Sequence, residues 1–151
     1  ALAELLALCG GLPLAAERLA AAGGAAMLKR FVADLAKLPG ADPLRLAAQW
    51  EQWLKSKEAL AAGFGMVQLS DWMQRWVTDI ATLRLGGQVR YFPAEAARIA
   101  ALAARASIAQ VTTCYNDVTA IRRVARHPLN ARLVLEDMLL RYVRGMGGSR
   151  S

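Results

Sequence analysis

Between the glycines at 63 and 65 and the pair Gly86-Gly87, apolar side chains recur at spacings of three and four. They are Leu69, Trp72, Met73, Trp76, Val77, Ile80 and Leu83. That period fits the 3.6-residue turn of an α-helix and excludes a strand, whose side chains alternate with period two. Asp71, Gln74, Arg75, Thr78, Asp79 and Thr82 are assigned to the opposite, solvated face. A helix this long and this greasy along one side has to pack against others like it.

The rest of the chain is written in the same way, with Gly and Pro as punctuation. A helix end up to Cys9 stops at Gly10-Gly11, and Pro13 opens a short helix that runs to Gly23-Gly24. Leu28, Phe31, Val32, Leu35 and Leu38 form the next stripe, with Lys29, Arg30, Asp34 and Lys37 opposite and Pro39-Gly40 as the stop. Asp42 followed by Pro43 is an N-cap and first-turn pair. It opens a helix that buries Leu46, Ala47, Trp50, Trp53 and Leu54 and carries a Glu51/Lys55 pair outside. After Phe92-Pro93 comes an Ala-rich helix with Ile99 and Leu102. Ser107 caps the next, with Ile108, Val111, Tyr115, Val118, Ile121 and Ala125 inward. His127-Pro128 breaks it, and Asn130 caps a last helix with Leu135, Met138, Leu139, Tyr142 and Val143 inside and an Asp137/Arg141 pair outside. The expected fold is all-α, an antiparallel bundle of about six helices joined by short turns, with a frayed tail from Gly145 on.

Composition agrees. Apolar residues reach 56%, mostly Ala and Leu, which are the strongest helix formers. Charged residues stand at 21%, so a partner is expected to cover part of the surface. The net charge of +7 comes largely from Arg and suits nucleic acid, an anionic surface or an acidic protein without choosing among them. No apolar run approaches the roughly 18 residues of a membrane span. The opening Ala1-Leu2-Ala3-Glu4 has no signal-peptide layout and reads as mid-helix, as in a piece of a longer chain. Cys9 and Cys114 lack any partner motif, which fits reduced, buried thiols and a cytoplasmic address.

Catalysis needs convergent titratable groups, and few are in place. His127 is the only histidine and sits in a Pro turn beside Arg126. No CxxC, HExxH or acidic metal cluster occurs, and the Gly pairs lack the Lys of a phosphate loop. Glu136 and Asp137 are adjacent and point about 100° apart on a helix. No catalytic, cofactor-binding or metal residue is therefore assigned. Trp50/Trp53 and Trp72/Trp76 share faces with leucines of their own helices, which favours core packing over base stacking. Arg122, Arg123 and Arg126 could contact a DNA backbone or a partner. They could equally offset a helix dipole at about 0.3–1 kcal/mol each, and that reading is preferred.

Three stretches carry a resemblance. Leu129 to Arg141, with its Asn130 cap and Leu-Leu-Arg ending, resembles the closing helix of the delta-prime subunits of bacterial DNA polymerase III clamp loaders. Leu8 to Ala16 is similar to the Gly-x-Pro turn late in that family's AAA+ lid, and Asp71 to Val89 looks like its long middle helix and exit turn. The resemblance implies a lid remnant at 1–24, a collar domain at 25–145 and a flexible tail at 146–151. It implies a structural domain rather than an enzyme, holding gamma or tau and delta subunits in the ring that loads the sliding clamp during replication. No cofactor, membrane or small-molecule substrate is implied, and DNA is met only through the whole complex. Motor subunits of the family carry a nucleotide-sensing Arg three residues after the turn glycine. Counting from Gly11 that position is Leu14, as a non-hydrolysing delta-prime subunit would have it. The subunit interface is expected on the last two helices, through Tyr115, Val118, Arg122, Leu133 and Arg141, whose Leu/Tyr/Arg mixture suits interface centres. Two alternatives stay open: a free-standing basic helical nucleic-acid-binding module, and the collar of a gamma or tau subunit.

Overall fold

A computed structural model describes residues 2–38, 40–126 and 130–146. Among them the chain is all-α, with no strand. The helices are α1 (Leu2–Leu8), α2 (Pro13–Ala21), α3 (Gly24–Ala36), α4 (Pro43–Leu54), α5 (Lys57–Ala61) and α6 (Met66–Arg84). A 3-10 turn at Pro93–Glu95 then leads into α7 (Ala96–Arg105), α8 (Ile108–Val124) and α9 (Ala131–Met146).

The expected caps form. Asp42 Oδ1 accepts from the Leu44 amide at 2.9 Å, with Pro43 in the first turn. Ser107 and Gln110 make a reciprocal capping box at the start of α8. Asn130 Oδ1 accepts from the Leu133 amide at 3.1 Å. Gly86 ends α6 at φ 94°, a left-handed conformation that a side chain would disfavour. The helices outnumber the six or so expected, partly because Ser56 caps one more, accepting from the Ala59 amide to start α5. The breaks assigned to Pro39 and His127-Pro128 lie outside the described residues.

Packing centres on α6, which lies against α7 and α8, while α9 lies between α4 and α8. Leu69, Met73, Trp76, Val77 and Ile80 have no exposed surface, as their spacing predicted. Trp50 and Trp76 are fully buried and Trp53 and Trp72 nearly so, so the tryptophans are core. Phe64, placed in a loose connection by its flanking glycines, is buried against Trp53 and Trp72. Leu5, Leu8 and Ala16 of α1 and α2 belong to the same core cluster. Gly145 and Met146, where a tail was expected to start, are buried in α9, and residues 147–151 lie outside the described residues.

Two carboxylates assigned to solvated faces are buried instead. Asp79 has no exposed surface and its oxygens accept from the backbone amides of Arg90, Tyr91 and Phe92 at 2.8–3.2 Å. Asp34 is 6% exposed, and Oδ2 accepts from Trp50 Nε1 at 2.8 Å. The reason is angular. Asp79 lies three residues after Trp76, and Asp34 three after Phe31, so each belongs to the buried arc of its helix. Glu51 also departs from its expected i,i+4 partner and bonds Arg132 of α9 at 2.9 Å.

Because Asp79 satisfies three successive amides of the segment leading into α7, Asp79→Ala strands those donors in the interior. It is expected to lower unfolding stability by about 2–4 kcal/mol in urea titrations. A loss under about 0.5 kcal/mol would show that the segment holds itself.

Candidate subunit interface

Helices α8 and α9 lie side by side, with Val111, Cys114, Val118 and Ile121 of the first and Leu135, Met138, Leu139 and Tyr142 of the second buried. The two helices come close at Gly145, where a Cβ would stand 2.7 Å from that of Cys114. Tyr142 is tied to α6, its hydroxyl accepting from Trp76 Nε1 at 2.9 Å, and burial raises its pKa.

With α9 flanked by α4 and α8, one arc of it stays outside. Leu133, Asp137, Leu140 and Arg144 are exposed along it, at spacings of four, three and four. Leu133 is 59% and Leu140 38% exposed. Arg144 has no ion-pair partner among the described residues. Between α8 and α9 an open hollow of about 330 Å³ is lined by Thr113, Asp117, Arg141, Arg144 and Gly145.

Along the seams between helices, other arginines are held by carboxylates. Arg141 bonds Asp137 at 2.7 Å and Asp117 of α8 at 3.1 Å, and hydrogen bonds to these two acids raise its pKa. Arg122 reaches Asp71 of α6 at 2.9 Å. Asp71 also holds Arg75, whose Nη1 donates to the Leu8 carbonyl at the end of α1.

The five residues assigned to the interface therefore separate. Leu133 is exposed, and Arg141, two turns further along α9, lies on the α8–α9 seam. Arg122 belongs to the α6–α8 seam. Half-buried Tyr115 is placed there by helical spacing, since Thr119, four residues on, accepts from Gln74 of α6 at 3.0 Å. Val118 has no exposed surface, so it is core and cannot itself meet a neighbour: it lies four residues after Cys114 on the arc that faces the bundle. Leu140 was missed as an outward residue. The signal was available, since it lies seven residues after Leu133 and between inward Leu139 and Tyr142.

Among the described residues, no group of three or more His, Cys, Asp or Glu could hold a metal ion. No helix among them is long and apolar enough to cross a membrane.

Such a bundle, with its inner faces filled and one Leu-bearing arc left on its last helix, is an all-helical domain of collar type. Residues 65–144, just over half of the chain, match the family model for the DNA polymerase III, delta subunit, C terminal. The chain belongs to that family. The match spans α6 to α9 and so contains the outward stripe. No curated protein and no solved structure matches the chain.

The same packing separates the two thiols. Burial, with Asp117 adding to it, pushes Cys114 up to about 12, whereas Cys9 is half-buried and its thiol, although raised by burial, is drawn back by Arg75. At about pH 8 a disulfide reagent is expected to modify Cys9 in the folded chain and Cys114 only after denaturant is added. Equal rates for the two thiols in the folded chain would contradict the close α8–α9 packing.

Proposed function

We propose that this domain joins a clamp-loader subunit of delta-prime type to its gamma or tau and delta neighbours, in the cytoplasm, through the outer arc of α9. The observation that carries this reading is the stripe Leu133, Asp137, Leu140 and Arg144, exposed on a helix inside the family-matched region. Apolar centres rimmed by charge are what subunit contacts use. The delta-prime choice rests on sequence, namely the Gly10-Gly11-Leu12-Pro13 turn followed by Leu14, which cannot contact a nucleotide phosphate. In this reading residues 1–24 are the end of an AAA+ lid and the collar begins at about residue 25. The domain is a scaffold, and DNA is reached only through the assembled loader.

The nucleic-acid-binding alternative is disfavoured by charge. Arg122, Arg132 and Arg141 are each engaged by a carboxylate, and the tryptophans offer little open ring surface.

Leu133→Glu with Leu140→Glu changes only exposed positions, so helicity by circular dichroism should be unchanged. Assembly with gamma or tau and delta subunits in gel filtration should weaken by at least about tenfold, the scale of burying one leucine. Arg122→Ala with Arg141→Ala should weaken it less, because these residues act from the flanks. Undiminished assembly of the leucine variant would remove the α9 arc from the interface.

A further inference from the structure

A second surface lies on residues 22–61, outside the family-matched region. Two open hollows meet at Arg30, Trp53 and Ser56. The first, about 450 Å³, is lined on the α4 side by Arg45, Ala48, Gln49 and Gln52, with no carboxylate in its wall. The second, about 510 Å³, is floored by Ala22, Ala26, Met27 and Ala61, with Glu58 in its wall. Small side chains there leave room for a larger one from elsewhere.

Arg30 stands where the hollows join, and it is held in place. Its guanidinium carbon is 4.7 Å from the Trp53 ring centroid, and Nε is 3.5 Å from buried Asp34. Asp34 is itself fixed by Trp50 and bonded by Lys37. Arg45 makes no ion pair among the described residues. A pre-positioned guanidinium, an uncommitted one and two amides thus face one hollow, and an apolar floor lies in the next.

We propose that this groove binds a peptide segment of a partner protein, with carboxylates seated at Arg30 and Arg45 and an adjacent apolar side chain over Ala26, Met27 and Ala61. Guanidinium forks match carboxylates, and recognition of acidic motifs by arginine clusters follows from that fit. Single-stranded nucleic acid fits less well. Trp53 is only 5% exposed beneath Arg30, so no open ring face is available for a base, and a phosphate chain continuing into the second hollow would meet Glu58. The groove uses the side of α4 that bears Arg45, Gln49 and Gln52, whereas Glu51 of the same helix is bonded to α9. It is therefore separate from the α9 stripe and does not rest on the ring-assembly reading.

The test is an NMR titration of the isotope-labelled chain with a synthetic decapeptide carrying aspartates followed by leucine and phenylalanine. Amide shifts are expected in Ala26–Arg30 and Arg45–Ser56. Arg45→Glu with Gln52→Glu, both exposed positions, should raise Kd at least about fivefold, the scale of one exposed ion pair. Leu133→Glu with Leu140→Glu should leave Kd unchanged. The proposal is overturned if no shifts appear at millimolar peptide, or if they map to α8 and α9. It is equally overturned if a peptide with asparagines in place of the aspartates binds as well, or if oligodeoxythymidylate binds the same residues more tightly.

Discussion

The ring of Phe31 is the contact on which the bundle turns. It lies 5.6–6.4 Å, centroid to centroid, from Trp50, Trp72, Trp76 and Phe92, so a single side chain of α3 meets α4, α6 and the segment entering α7. Trp50 and Phe92 are stacked on it and Trp72 and Trp76 meet it edge-on, geometries that aromatic quadrupoles prefer. Trp76 passes the constraint on to α9 through Tyr142, and Trp53 extends the cluster to Phe64. Burying rings of this size supplies much of the apolar driving force, and their shapes leave few alternative packings. Since α9 is fixed from inside by this cluster, the arc it turns outward is fixed as well.

Charge is distributed to the same end. Asp34 and Asp79 are spent inside, holding an indole and a run of backbone amides, while Asp71, Asp117 and Glu51 hold arginines along the seams between helices. Exposed pairs of this kind contribute little to stability, about 0–1 kcal/mol each. Their larger effect is to orient side chains. With so many acids committed, the surplus positive charge is left on residues such as Arg45 and Arg144, beside the groove and the α9 stripe respectively.

Helix period and cap chemistry made most of this architecture legible in advance. The α6 stripe, the Asp42, Ser107 and Asn130 caps and the burial of the tryptophans follow from residues within one or two turns of each other. What was not legible depended on distant partners. Asp34 and Asp79 look solvated when only polarity is weighed, and their burial makes sense once Trp50 and the amides of 90–92 are in place. Glu51 chose Arg132, far along the chain, over its neighbour Lys55. Of the residues expected at the interface, Leu133 is exposed and Arg141 lies on the α8–α9 seam, whereas Val118, which helical spacing already turned inward, is core. The groove of Arg30 and Trp53 had no sequence signature, since it is assembled from the turn after α2 together with α3, α4 and α5.

The described residues thus form an aromatic-centred bundle that presents two separate outer features, one on the family-matched helices and one on the helices before them. Hydroxyl-radical footprinting of the protein, free and mixed with the gamma or tau and delta subunits proposed as its partners, addresses the central claim most directly. Leu133 and Leu140 should be oxidised in the free chain and strongly protected in the assembly, while Leu60, 69% exposed on α5, stays equally reactive in both. Equal oxidation of Leu133 and Leu140 in the free and assembled states would contradict it.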